Sequence, residues 1–141
     1  MTEIKLPINI LLAEDDVDDR FFFKKALDLV PIATQLTIVN DGEQLMEYLA
    51  DNLENLPDIL FLDISMPRKT GIECLAEIQE NELLKNVPIA MLSTSYVKEI
   101  DYEKGIKDML LKMGAKKFIR KSEVIEGLKE AIENSIKTLF L

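Results

Sequence analysis

Side chains that can bind phosphate or a metal ion lie at the ends of four apolar runs of the chain. Glu14 and Asp15 come after the first run, and Asp63 comes after the third. Ser93 ends the fourth run and Lys121 follows the fifth. Carboxylates are the hard oxygen ligands that Mg²⁺ prefers, and a carboxylate can also act as a nucleophile and form an aspartyl phosphate. Because hydroxyl and ammonium groups can stabilise the oxygens of a moving phosphoryl group, these residue types indicate metal-dependent phosphoryl transfer.

The composition excludes several other chemistries. The 141 residues contain no histidine and a single cysteine, Cys74. A histidine-based triad or zinc site and an intrachain disulfide are therefore impossible, and a lone cysteine is typical of a reducing, cytoplasmic location. The formal net charge of −9 opposes direct binding to DNA and to anionic membrane surfaces. No apolar stretch has the length needed for membrane insertion.

The apolar runs are the right length for buried strands, and amphipathic periodicities follow each of them. The predicted strands cover residues 8–13, 36–39, 59–62, 88–92 and 118–119. Such strict alternation predicts an α/β fold in which helices cover both faces of an open, mostly parallel sheet. The length suits a single domain over residues 1–141. Because ligands of such sheets bind beyond the carboxyl ends of the strands, the polar residues above are expected to meet at one edge.

Apolar spacing also predicts which helix faces are buried. Phe22, Ala26 and Leu29 share one face of the first helix. The expected apolar face of the fourth helix consists of Ile106, Met109, Leu110 and Met113. Asp18 and Asp19 are interpreted only as an acidic helix start, since acidic residues are favourable at helix N-termini.

Four fragments, in order, resemble the receiver domain of two-component response regulators. The fragments are ILLAEDD, LFLDISMPRKTG, AMLSTS and FIRK. Each fragment alone is a weak signal, but the four together follow the correct strands over almost the whole chain. The resemblance implies a flavodoxin-like, doubly wound (βα)5 fold, similar to chemotaxis receivers, with a five-stranded parallel sheet in the order 2-1-3-4-5.

The resemblance also implies a role for each residue of the metal site. Asp63 would be the phosphoacceptor and a ligand of Mg²⁺ (or Mn²⁺). Asp15 would bind the ion directly and Glu14 through water, while Ser65 would contribute its backbone carbonyl.

Three further roles concern the response to phosphorylation. Ser93 would be the switch hydroxyl, and Lys121 would pair with Asp63 at rest and with the phosphoryl group afterwards. Phe118 stands at the position of the switch aromatic, although a plain core role stays equally open. The chain departs from the family where Ser122 replaces the proline that usually follows the lysine, and the segment from Ser93 to Lys121 is longer than usual.

We therefore expect a stand-alone receiver without an output domain. It would accept a phosphoryl group on Asp63 from a sensor histidine kinase or a histidine phosphotransfer protein. It would then pass the signal by contact to a downstream protein that the sequence does not identify. It would not be an enzyme, apart from magnesium-dependent self-phosphotransfer and slow autodephosphorylation.

One alternative is a binding module that no longer cycles phosphate, which only Ser122 favours. Another is a phosphatase with an aspartate nucleophile, which ranks last because Ser65 replaces the second aspartate of that class.

Overall fold

The structure is a computed structural model that describes residues 5–93, 100–121 and 124–140. Strands and helices alternate along the chain. The strands are β1 Ile8–Ala13, β2 Thr34–Val39, β3 Ile59–Asp63, β4 Ile89–Ser93 and β5 Lys117–Arg120. The helices are α1 Val17–Asp28, α2 Gly42–Asp51, α3 Gly71–Glu80, α4 Ile100–Lys112 and α5 Ile125–Phe140. Within these ranges, no helix has the combination of length and apolar character that crossing a membrane requires.

The five strands form one sheet in the order β2-β1-β3-β4-β5, and all neighbouring pairs are parallel. This order confirms the predicted flavodoxin-like fold. β3 and β4 lie inside the sheet, and every residue in both strands is buried, as expected for parallel strands covered on both faces. The carboxyl ends of β1, β3, β4 and β5 consequently lie along one edge.

The core has two halves, one on each face of the sheet. On one face, apolar residues of α2, α3 and α4 pack against Leu11 and Leu60. On the other face, α1 and α5 pack against Leu12 and Phe61. Phe23 of α1 meets Phe61 edge to face with a centroid distance of 5.1 Å, a favourable aromatic geometry. The lysine that follows β5 lies on the same side of the sheet as α1 and α5.

Two of the predicted helix contacts are wrong. α1 ends at Asp28, so Leu29 is its C-cap and is 52% exposed. The buried residues of α1 are Phe23, Ala26 and Leu27, so the prediction for Ala26 is confirmed. In α4, Leu110 is fully buried as predicted, whereas Met109 is 41% exposed. The prediction for Leu29 is wrong because the helix ends before it, and the prediction for Met109 is wrong because the buried stripe of α4 passes through its neighbour Leu110.

Candidate metal and phosphoryl site

The three predicted acidic residues lie together at the carboxyl edge of the sheet. Glu14 and Asp15 follow β1, and Asp63 is the last residue of β3. Each offers a carboxylate oxygen, and these oxygens all lie within 4.8 Å of one another. Glu14 and Asp63 are buried whereas Asp15 is exposed. A cluster with two buried members and one open member can bind a hydrated cation from solvent.

Lys121 extends across this cluster. Its backbone N–H donates to the carbonyl of Ser93 at 2.8 Å, which continues the β4–β5 register by one residue and keeps the lysine at the edge. Its Nζ lies 2.6 Å from Oε1 of Glu14, 2.9 Å from Oδ2 of Asp19 and 3.3 Å from Oδ2 of Asp63. The ammonium group therefore has three carboxylate partners, and Asp63 is the most distant of them.

The pKa values reflect this crowding. Burial raises the pKa of Glu14 to about 8; its hydrogen bond with Asp63 acts in the same direction, and Lys121 opposes both. Burial alone would lower the pKa of Lys121, but hydrogen bonds to Glu14 and Asp19 outweigh it and raise that pKa above its ordinary value of 10.5. The lysine is therefore a permanent cation, and a second cation would favour the ionised form of Glu14.

The backbone around Asp63 is held on both sides. Ile64 donates its N–H to the carbonyl of Leu92 at 3.0 Å, and the Ser65 N–H donates to Oδ1 of Asp63 at 3.2 Å. Gly71, the first residue of α3, packs so closely that a Cβ there would collide with the carbonyl oxygen of Asp63. Only glycine fits at that position without moving the aspartate.

The loop from Ser65 to Thr70 is also fixed against α2. Arg68 has a φ of 68°, a left-handed conformation that is uncommon for a residue with a side chain. Its guanidinium pairs with Asp41 and Glu43 at the start of α2, both at 3.5 Å. A Cβ on Gly42 would collide with the carbonyl of Lys69. The start of α2 and the loop after Asp63 thus form one close-packed unit.

The remaining predicted residues are distributed as follows. Ser93 is buried at the end of β4. Phe118 is partly buried in β5 and packs against the core half beneath α2, α3 and α4. The side chain of Ser65 is exposed. Ser122 and the β4–α4 connection, residues 94–99, lie outside the described residues, so the expected extra length between Ser93 and Lys121 stays a prediction.

Asp19 is the residue that the sequence interpretation missed. Its sequence context predicts only an acidic helix start, but its carboxylate binds Lys121, which lies 102 residues further along the chain. No local sequence pattern predicts this contact, because it joins a residue of α1 to the residue that follows β5. Asp16, by contrast, has a local role as the N-cap of α1, where its side chain accepts from the Asp19 N–H at 2.9 Å.

The donor set fits a hard divalent ion. Carboxylate oxygens are the preferred ligands of Mg²⁺ and Mn²⁺, and a buried carboxylate is costly unless a positive charge compensates it. Even with Glu14 protonated, the carboxylates of Asp15, Asp63 and Asp19 outnumber the single ammonium group of Lys121. A divalent ion at the oxygens of Glu14, Asp15 and Asp63 would correct that imbalance.

A five-stranded sheet of this order, with an acidic cluster and a lysine at its carboxyl edge, defines a flavodoxin-like α/β protein with a site suited to a cation and a phosphoryl group. A family model described as "Response regulator receiver domain" matches residues 10–133. The chain therefore belongs to the response regulator receiver family.

Individual relatives agree with this membership. Response regulator Rcp1 of Synechocystis sp. is 37% identical over 94 residues, which cover 64% of each chain. The probable C4-dicarboxylate response regulator DctR of Bacillus subtilis is 30% identical over 88% of this chain and 50% of its own length. The alignments thus span less than two thirds of these curated relatives.

Solved structures are similar over a larger share. The Mn²⁺-bound form of Rcp1 is matched with a TM-score of 0.76 at 27% identity, covering 93% of both chains. The phosphorylated cyanobacterial phytochrome response regulator RcpA gives a TM-score of 0.76 at 29% identity, covering 94% of this chain and 93% of that one.

Proposed function

We propose that this chain accepts a phosphoryl group on Asp63 from a sensor histidine kinase or a histidine phosphotransfer protein, and that it relays the signal by protein contact. One observation carries the proposal. Asp63 is a buried carboxylate at which the acidic cluster and the ammonium group of Lys121 meet. The phosphorylated state of the similar regulator RcpA supports it as well.

The transfer would proceed by attack of an Asp63 carboxylate oxygen on phosphorus. The P–N bond of a phosphohistidine, or the P–O bond of a small acyl phosphate, breaks at the same time. The leaving group keeps the electron pair, and the departing imidazole takes a proton from solvent. Lys121 would bind a phosphoryl oxygen through its ammonium group, and the hydroxyl of Ser93 would donate to another. No general base is needed, because the nucleophile is an ionised carboxylate.

Glu14, Asp15 and Asp63, with the backbone carbonyl of Ser65, would hold Mg²⁺ (or Mn²⁺). The ion would neutralise charge on the oxygens of the moving phosphoryl group. The mutual distances of the three carboxylates support this assignment, and the similar Rcp1 structure is a Mn²⁺-bound form.

The proposed partners follow from the same chemistry. A phosphohistidine donor is consistent with the match to the sensor histidine kinase CheAY of Helicobacter pylori, which is 28% identical over 91% of this chain but only 15% of that protein. We propose a single receiver domain over residues 1–141 in the cytoplasm, acting on a downstream protein. The net charge of −9 disfavours direct DNA binding. Apart from self-phosphotransfer and slow autodephosphorylation, we propose no enzymatic activity.

The experiment is intact-mass analysis after incubation with acetyl phosphate and Mg²⁺. The wild type should gain the mass of one phosphoryl group. Asp63→Asn should not gain it, whereas Asp51→Asn, an exposed position in α2, should behave as the wild type. A wild type that gains no phosphate would favour the non-cycling binding module, and unchanged labelling of Asp63→Asn would place the acceptor elsewhere.

A further inference from the structure

Asp19 and Lys121 make a contact that the residues proposed for phosphoryl transfer leave unexplained. The Asp19 carboxylate accepts from the Lys121 ammonium at 2.9 Å, and its own side chain is 43% exposed. Lys121 is far less exposed, at 15%. An aspartate on the surface of α1 thus holds the proposed phosphate-binding lysine from the solvent side.

The start of α1 explains why the Asp19 carboxylate is available for this contact. Asp19 occupies the third position of the helix, where an acidic side chain commonly turns back to the backbone N–H of the N-cap residue. In α3 this happens, because Glu73 completes a reciprocal cap with Thr70. In α1 the N–H of the N-cap residue Asp16 instead points to Oε2 of Glu14, at 3.4 Å.

The three carboxylates on Lys121 are not equivalent. Glu14 and Asp63 belong to the cluster that can hold a cation, whereas Asp19 does not. A cation bound there would draw on the same oxygens that Glu14 and Asp63 offer to the lysine. Asp19 is then the partner whose contact with the ammonium group does not compete with the metal.

A small cavity beside the lysine leaves the ammonium group room to move. The cavity has a volume of about 30 Å³, the space of roughly one water molecule. Its polar lining comes from Glu14, Asp19 and Lys121, and the rest is apolar: Phe22, Phe23, Leu92 and Leu128. An ammonium group that left its carboxylate partners on this side would face mainly apolar surface.

We infer that Asp19 is a positioning residue that keeps the ammonium group of Lys121 beside Asp63 while a divalent ion occupies the acidic cluster. This inference rests on the proposed function, because it concerns the lysine that binds the phosphoryl group. Asp19 touches neither the acceptor nor the phosphoryl group; it acts through the lysine. The Asp19 tether fixes one end of a long, flexible side chain, so less conformational freedom is lost when the phosphoryl group arrives.

The test is the rate of phosphorylation by acetyl phosphate at saturating Mg²⁺, followed by intact mass. Asp19→Asn should lower the rate by roughly threefold to tenfold, within the range for coupled side chains in contact. Asp18→Asn is the matched control, because it removes the same charge from the same exposed first turn of α1, and it should keep the wild-type rate. Asp19→Glu, which restores the charge, should recover most of the loss.

A double-mutant cycle distinguishes positioning from a general structural effect. In a Lys121→Ala background, Asp19→Asn should cause no further loss, since there is no ammonium group left to position. Equal rates for Asp19→Asn and Asp18→Asn, or an undiminished effect of Asp19→Asn without Lys121, would overturn the inference. Failure of the proposed function looks different, because the wild type itself would then gain no phosphate.

Discussion

The ammonium group of Lys121 lies 2.6 Å from a carboxylate oxygen of Glu14, closer than its 3.3 Å approach to Asp63. Family resemblance implied a resting pair of Lys121 with Asp63, and this pair is present at 3.3 Å. The lysine is also shared, with its shortest contact to the most deeply buried acid of the cluster, which is 1% exposed. To bind a phosphoryl group on Asp63, the lysine has to redistribute its contacts away from Glu14. A cation at the cluster would assist, because it would neutralise the carboxylate of Glu14 in place of the lysine.

We expect Mg²⁺ to stabilise the protein through the acidic cluster. At a concentration one hundred times its dissociation constant, an ion that binds only the folded state adds about 2.7 kcal/mol to the free energy of unfolding. Asp15→Asn should remove most of the resulting rise in melting temperature. Asp16→Asn is the control, since asparagine also serves well as an N-cap and the charge change is the same. Thermal unfolding with and without Mg²⁺ measures both; equal loss in the two variants would contradict the site.

The metal-free protein should become less stable as the pH rises from 4.5 towards 8. In the folded state, burial raises the pKa of Glu14 from 4.5 to about 8, so the folded protein holds a proton that the unfolded chain has already lost. The free energy of unfolding therefore falls across this window. The raised pKa of Lys121 adds no slope there, because its contribution is complete below 10.5.

Urea unfolding in the presence of a chelator, repeated across that pH range, measures this trend. Glu14→Gln removes the titrating group and should flatten the decline. Mg²⁺ should also oppose it, because the ion favours the ionised carboxyl. A metal-free wild type whose stability rose steadily over the same range would show that other groups dominate.

Lys121→Ala should separate the phosphorylation of Asp63 from the conformational response to it. Phosphorylation by a small donor should continue at a reduced rate, because the remaining charge stabilisation would come from the metal. The conformational response should be blunted, because the lysine can no longer anchor the phosphorylated state. Intact mass gives the rate, and amide chemical shifts before and after phosphorylation give the response. Lys116→Ala, an exposed lysine before β5, controls for loss of charge; full-sized shifts in Lys121→Ala would refute the anchoring role.

The side chain two residues after the acceptor should influence how long the phosphoryl group persists. In this chain that residue is Ser65, whose side chain is exposed. A short hydroxyl orients an attacking water poorly, so we expect a moderately long-lived phosphorylated form. Ser65→Asn should hold the water better and shorten the lifetime, whereas Ser65→Ala should change it little. Decay of the phosphorylated mass after donor removal, at constant Mg²⁺, is the measurement; a Ser65→Asn protein that decays no faster would assign the control of lifetime to another residue.

The sequence correctly predicted which polar residues lie at the carboxyl edge of the sheet, because apolar runs that stop at polar residues mark the ends of buried strands. Glu14, Asp63 and Lys121 lie together for that reason. The contact of Asp19 could not be predicted, since it joins α1 to the residue after β5, 102 positions further along the chain. The prediction that Leu29 is buried was wrong for a more local reason, because periodicity does not determine where a helix ends.

The left-handed residue Arg68 shows the same limit. Its φ of 68° occurs at the centre of a tight turn in which the N–H of Lys69 donates to the carbonyl of Pro67 at 2.8 Å. Nothing in the residue type indicates this conformation, since asparagine, aspartate and glycine are the residues that adopt it most readily. The fold was therefore predictable from patterns along the chain, whereas the interactions that refine the site came only from tertiary packing.

Cys74 offers a practical opportunity for spectroscopy. The thiol is buried between α3 and α2, with its sulfur 3.6 Å from the carbonyl of Gly42. Burial raises the pKa of this thiol to about 12, so at neutral pH it is neither accessible nor ionised and should resist alkylating reagents. A cysteine introduced at an exposed position would then be labelled selectively without removing the native one. Fluorescent or spin-label reporters could be placed along the outer surface of α4 or α5 in an otherwise unaltered background.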